Sequence, residues 1–228
     1  MKKGRIVVRI EISTLTNGNG RLNHTKMDRL AMVLSNLQNS GKQLLLVSSG
    51  AIVLGAGKLD LEVDTSDVTT MMATAAVGQA ELIKLYQKYF DQYNQMVAQV
   101  LLASDIINHE KRKINTQNTF ETLLEMNIIP IINENDAVST TDIDLDDNYP
   151  LALNVANISN ADIILIKSDI NSKYIIQPCG GLKARVVSNE VEMLKNVDDI
   201  CVELSSMKEK SCTFPNSIEE IIYEGSVT

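Results

Sequence analysis

The stretch that most constrains this chain is Ile128 to Asn148, IIPIINENDAVSTTDIDLDDN, where an apolar run opens into a loop dense with carboxylates and amides. A run that short, bounded by polar residues, predicts a strand buried on both faces of a parallel sheet. In such sheets ligands bind just beyond the carboxyl ends of the strands. Asn133, Glu134, Asn135 and Asp136 therefore stand at the mouth of a candidate site. An ordinary polar surface loop is the simpler alternative.

Lys42 to Gly57, KQLLLVSSGAIVLGAG, repeats that grammar: an apolar strand, a small polar turn, a helix start. Ser48, Ser49 and Gly50 would present a hydroxyl and free backbone N–H groups where the helix begins, a geometry suited to carboxylate or phosphate. Strands and helices alternate along the rest of the chain as in a doubly wound sheet. Strands are predicted at Gly4 to Ile12, Lys42 to Ser48, Gln95 to Leu102, Ile128 to Asn133 and Asp162 to Lys167.

Helices are predicted after Thr25 as cap, over Met71 to Phe90 and over Asn115 to Met126. In the first, Met27, Leu30, Ala31, Leu34 and Leu37 recur at helical spacing, and Gly41 ends it. In the second, small Ala75, Ala76 and Gly78 predict close packing rather than a binding box. Pro150 fits the first turn of a further helix capped by Asp147 or Asn148. Asn17 to Leu22 reads as a turn and Leu59 to Val68 as a polar surface segment. With no repeat or linker, residues 1–228 are expected to form one domain.

Composition narrows the function. At 228 residues and 44% hydrophobic, the chain can bury one large α/β core. The balance of 21 basic and 29 acidic residues gives −8, which disfavours nucleic acid or an anionic membrane as partner. Six Tyr, three Phe and no Trp leave little for a base-stacking platform. No apolar run approaches the ~20 residues that span a bilayer, and the first residues lack a signal peptide's cleavage region. A cytoplasmic location is expected. Cys179, Cys201 and Cys212 show no close ligand spacing, so structural thiols in a reduced compartment are expected and no metal site is assigned. His24 and His109 lie outside any metal or triad motif and read as surface or capping residues.

VSSGAI, AAVGQAELIKLY and PIINENDAV, in this order and spacing, resemble the amino acid kinase family from about Arg5 to Tyr174. NENDAV is the most specific element. The resemblance implies a three-layer αβα sandwich with an open, mainly parallel sheet. It also implies phosphoryl transfer from Mg²⁺-ATP to the side-chain carboxylate of L-glutamate, at the start of proline synthesis. A homo-oligomer and feedback by proline are compatible with it, and no appended RNA-binding-type C-terminal domain is expected.

By the same resemblance Ser49, Gly50, Ala51, Asp136 and Asn148 hold glutamate, Asp136 suiting the α-ammonium and the Ser49 turn a carboxylate. Ser168 and Asp169 take the place of a nucleotide-contacting pair. Gly180, Gly181 and Leu182 resemble a glycine-rich phosphate motif that continues to a lysine, here Arg185 with Lys183 nearby. Ile218 to Val227 resembles the family's terminal helix and strand. Glutamate's side chain, with a pKa of about 4.3, is already ionised at neutral pH and needs no general base. The barrier lies in bringing it against the γ-phosphate, so positive charge must sit at the transferring group.

Those cations are where the chain departs from the family. Arg9 stands for a lysine at the end of the first strand, and Arg185 stands for the second. A planar fork in place of a compact ammonium is not a conservative exchange at phosphate. Glu11 replaces a glycine and adds negative charge. Tyr149 replaces an aspartate that orders the lysines, and most of a segment that holds the adenine nucleotide is missing between Tyr174 and Gly180. Two functions stay open: a kinase using Arg9 and Arg185, with impaired turnover, or a non-catalytic glutamate-binding or regulatory relative.

Overall fold

A computed structural model describes residues 4–17, 22–62, 67–103, 106–138, 148–167, 173–180, 182–207 and 214. The strands are β1 (Arg5–Ile10), β2 (Gln43–Ser48), β3 (Val97–Leu102), β4 (Ile129–Glu134), β5 (Ile163–Lys167), β6 (Tyr174–Pro178) and β7 (Arg185–Val187). The helices are α1 (His24–Asn39), α2 (Ala51–Leu59), α3 (Val68–Phe90), α4 (Glu110–Glu125), α5 (Tyr149–Ser159) and α6 (Glu190–Ser206).

The seven strands of the described residues join one sheet in the order β3-β4-β2-β1-β5-β6-β7. The first five are parallel, whereas β6 and β7 add antiparallel at one side. Alternate residues of the apolar runs enter opposite cores. Ile6, Val8, Ile10, Leu44, Leu46, Ile163 and Leu165 meet α1, α3 and α6. Val7, Leu45, Val47, Ile132, Ile164 and Ile166 meet α4 and α5. Burial on both faces is why the strand sequences show no polar alternation, and the result is the expected αβα sandwich.

Several boundaries differ from expectation. β1 stops at Ile10, and a 3-10 turn over Ile12–Leu15 follows. Asn23 rather than Thr25 caps α1, because its Oδ1 accepts the Lys26 N–H at 3.0 Å. α4 starts at Glu110, five residues before Asn115, with His109 in the cap position but making no side-chain cap bond. α6 follows Asn189, whose side chain accepts from Glu192 N–H. Cys179 is buried and Cys201 partly buried. Among the described residues no helix is long and apolar enough to cross a membrane.

α2 and α3 pack tightly. A Cβ on Gly78 would lie 1.6 Å from the Ala51 carbonyl oxygen, and one on Gly55 would lie 2.0 Å from the Thr74 oxygen. Ala75 is buried in this contact as expected, but Ala76 faces solvent.

Candidate functional site

Because β2 and β4 are adjacent and parallel, the residues that follow them leave the sheet at the same edge. Ser49, Gly50, Ala51, Ile52 and Val53 from the start of α2 line one wall of a pocket there. Asn133, Glu134 and Asp136 line the second, and Asn148 and Leu151 from the start of α5 line the third. All five residues singled out for glutamate thus converge on one concave site. Ile52, Val53 and Leu151 are additions that motif reading passes over, since an apolar residue in the first turn of a helix looks like core.

The turn before α2 depends on Gly50, whose φ of 103° favours glycine. A Cβ there would also strike the Ile12 side chain at 2.4 Å. Ser49 is tied to β1: its N–H donates to the Ile10 carbonyl at 3.3 Å, and its Oγ accepts from Ile12 N–H at 3.4 Å. The helix start leaves backbone N–H groups without intrahelical acceptors at the wall of the pocket, where a carboxylate would accept them.

Opposite, Asp136 is pushed up to about 6, first by burial and then by the neighbouring Glu134 carboxylate. An ammonium placed here would favour its charged form. Asn148 is 8% exposed, and among the described residues neither its amide nitrogen nor its carbonyl oxygen has a hydrogen-bond partner. It stands at the cap position of α5 without making a cap bond. A buried amide left without a partner costs free energy, and Asn148, which lines the pocket, has its side chain available to a ligand there rather than spent on a cap bond.

The residues singled out for phosphate are not gathered in the same way. Arg9, in register with Val47 and Ile166, has its side chain buried and its Nη1 2.6 Å from Glu11 Oε1. Arg185 lies on β7, where its guanidinium donates to Asn196 Oδ1 and Glu203 Oε2 at 3.1 Å each. Three strand steps from β1 amount to about 14 Å, so the structure does not bring Arg185 together with Arg9. Gly180, with φ of 76°, follows β6. That strand runs from Tyr174 beside Lys167 to Pro178 beside Ile163, which puts Gly180 at the opposite edge of the sheet from Ser49 and Asp136. Ser168, Asp169, Gly181, Asp147 and the stretch Ile218 to Val227 lie outside the described residues. Tyr149 is 2% exposed in the core formed by Val7, Leu45, Val47 and Ile166.

Helices on both faces of a mostly parallel sheet, with two strand-to-helix turns closing on a pocket at its carboxyl edge, define an α/β protein with a small pocket where such sheets bind ligands. The chain belongs to the amino acid kinase family, whose family model matches residues 4–173. Among similar proteins is the glutamate 5-kinase of Clostridium perfringens, 43% identical over 204 residues, covering 88% of this chain and 73% of the relative. That of Enterococcus faecalis is 41% identical over the same coverage. That of Listeria innocua is 43% identical over 76% of this chain and 64% of the relative. The structure of Giardia carbamate kinase aligns with a TM-score of 0.54 and 13% identity over 74% of each chain. At that identity the likeness is one of fold.

Proposed function

We propose that this chain binds L-glutamate in the pocket between Ser49 and Asp136 and is a glutamate 5-kinase-type phosphotransferase with an attenuated phosphate side. The reaction would make glutamyl 5-phosphate, the opening step of proline synthesis. The observation that carries the reading is the meeting of helix-start N–H donors, a buried amide without a partner among the described residues and an acid held near pH 6. The Ser49 turn suits a carboxylate, Asn148 can both donate and accept, and Asp136 suits an ammonium. The kinship with glutamate 5-kinases supports the same ligand.

Mg²⁺-ATP would supply the phosphoryl group when bound. The described phosphate-side residues do not fit it as they stand, since Arg9 and Arg185 each hold a carboxylate and Gly180 is at the far edge. That misfit favours the second reading, a glutamate-binding or regulatory relative with little or no turnover.

Trapping with hydroxylamine separates them. With L-glutamate and saturating Mg²⁺-ATP, the expected result is glutamyl hydroxamate at a rate far below the about 1–100 per second of ordinary kinases. A rate within that range overturns the attenuation, and no hydroxamate above the protein-free background leaves the second reading.

A further inference from the structure

The two turns that form the pocket are each fastened to the same helix, α3, at residues that touch no ligand position. Tyr86 is fully buried and its hydroxyl lies 2.7 Å from Ser48 Oγ. Ser48 Oγ is in turn 3.2 Å from the Ser49 carbonyl oxygen. Burial pushes the Tyr86 hydroxyl up to about 12, so it stays a neutral hydrogen-bonding group throughout the working range. Seven residues earlier, two turns along the helix, Gln79 Nε2 donates to the Glu134 carbonyl at 3.1 Å. Glu134 and Asp136 line the pocket with Ser49. Next to Gln79, Gly78 abuts the Ala51 carbonyl, so α3 also fixes the start of α2.

We infer that Gln79 and Tyr86 are positioning residues: through Glu134 and Ser48 they hold the two pocket turns at the separation at which one small ligand bridges them. Neither residue lines the pocket. Both sit on one face of a helix of 23 residues, a stiffer reference than the loops it holds. Preorganisation of this kind lowers the ordering cost of binding without adding a contact to the ligand. The inference rests on the reading of the pocket as a glutamate site, but concerns how the empty protein holds it.

Four variants test it: Gln79→Met, Tyr86→Phe, Ser48→Ala and the double Ser48→Ala with Tyr86→Phe. Each removes a hydrogen-bonding group at nearly constant volume. Calorimetric titration with L-glutamate is expected to show about fivefold weaker binding for Gln79→Met and Tyr86→Phe. The double variant should lose no more than Ser48→Ala alone, because Tyr86→Phe severs a hydrogen bond that Ser48→Ala already removes. In the ligand-free proteins, amide exchange should quicken in peptides spanning 47–52 for Tyr86→Phe and 133–138 for Gln79→Met.

Unchanged affinity accompanied only by a lower unfolding midpoint would make the contacts structural and overturn the inference. Additive losses in the double variant would do the same. If the unmodified protein takes up no glutamate, the reading of the pocket fails, and exchange in the ligand-free variants still decides this inference: unchanged exchange in both peptides overturns it, and quickened exchange upholds the anchoring.

Discussion

Arg9 Nη1 and Glu11 Oε1 lie 2.6 Å apart, with the arginine side chain 4% exposed and the glutamate 30%. The two departures seen separately in the sequence are thus one structural unit. A buried guanidinium held by a carboxylate just past the end of its strand is compensated, which lets an arginine stand at this depth, but the carboxylate competes with any incoming anion.

Glu11 is therefore predicted to limit phosphate binding more than Arg9 does. Glu11→Gly should tighten Mg²⁺-ATP binding by roughly tenfold, since removing a like charge beside a charged ligand is worth a kcal/mol or more. Adding Arg9→Lys should raise turnover by more than the product of the single effects, because residues acting as a unit are not additive. Arg185→Lys, on the far strand, should leave turnover unchanged. Fluorescence competition for nucleotide affinity and hydroxamate formation for turnover measure these effects.

Asp136 gives a pH signature with a definite sign. Its pKa is raised from the ordinary carboxylate value to about 6, so the free protein gains stability from the protonated form at low pH and loses it as pH rises through about 6. A bound ammonium reverses the preference. Glutamate affinity should fall about tenfold per pH unit below 6 until the substrate's own carboxylate titrates, and binding at pH 5.5 should release a proton. Calorimetry in two buffers of different ionisation enthalpy reads the release directly. Asp136→Asn should abolish it.

Asp136→Ala is expected to weaken glutamate binding at pH 7.5 by at least roughly tenfold, the usual cost of losing a charged hydrogen bond in a desolvated site. An unchanged dissociation constant would remove Asp136 from the pocket.

Tyr149 cannot be returned to the family's aspartate without cost. At 2% exposure, Tyr149→Asp both opens a cavity and buries a charge, and should destabilise the fold by at least about 3 kcal/mol in urea unfolding. Rescue of turnover by this change alone is not expected.

Much of this fold is written in the apolar runs. Val7 and Val8, or Leu45 and Leu46, serve opposite cores, and only a doubly covered strand needs both to be apolar. That Ser49, Asp136 and Asn148 share one pocket was equally legible, because each follows a strand or opens a helix. The phosphate side was not. Sequence alignment follows order along the chain, whereas β6 turns back and carries Gly180 to the opposite edge, and a hairpin direction leaves no mark in YIIQPCGG. Nor does sequence show that Glu11 pairs with Arg9, because residues two apart on a regular strand share a face but this pair forms where the strand ends. The helix α6 did carry a signal, Asn189 as cap and Met193, Val197, Ile200 and Leu204 at helical spacing, that the motif reading of 182–207 leaves unassigned.

The most direct measurement is calorimetric titration of the unmodified protein with L-glutamate in the absence of nucleotide, at pH 7.5, up to about 10 mM, ten times the upper end of common substrate constants. Saturable binding at one site per chain is the predicted result, with Mg²⁺-ATP alone giving much weaker heats. No glutamate binding over that range would contradict an intact amino-acid pocket, and with it the central account.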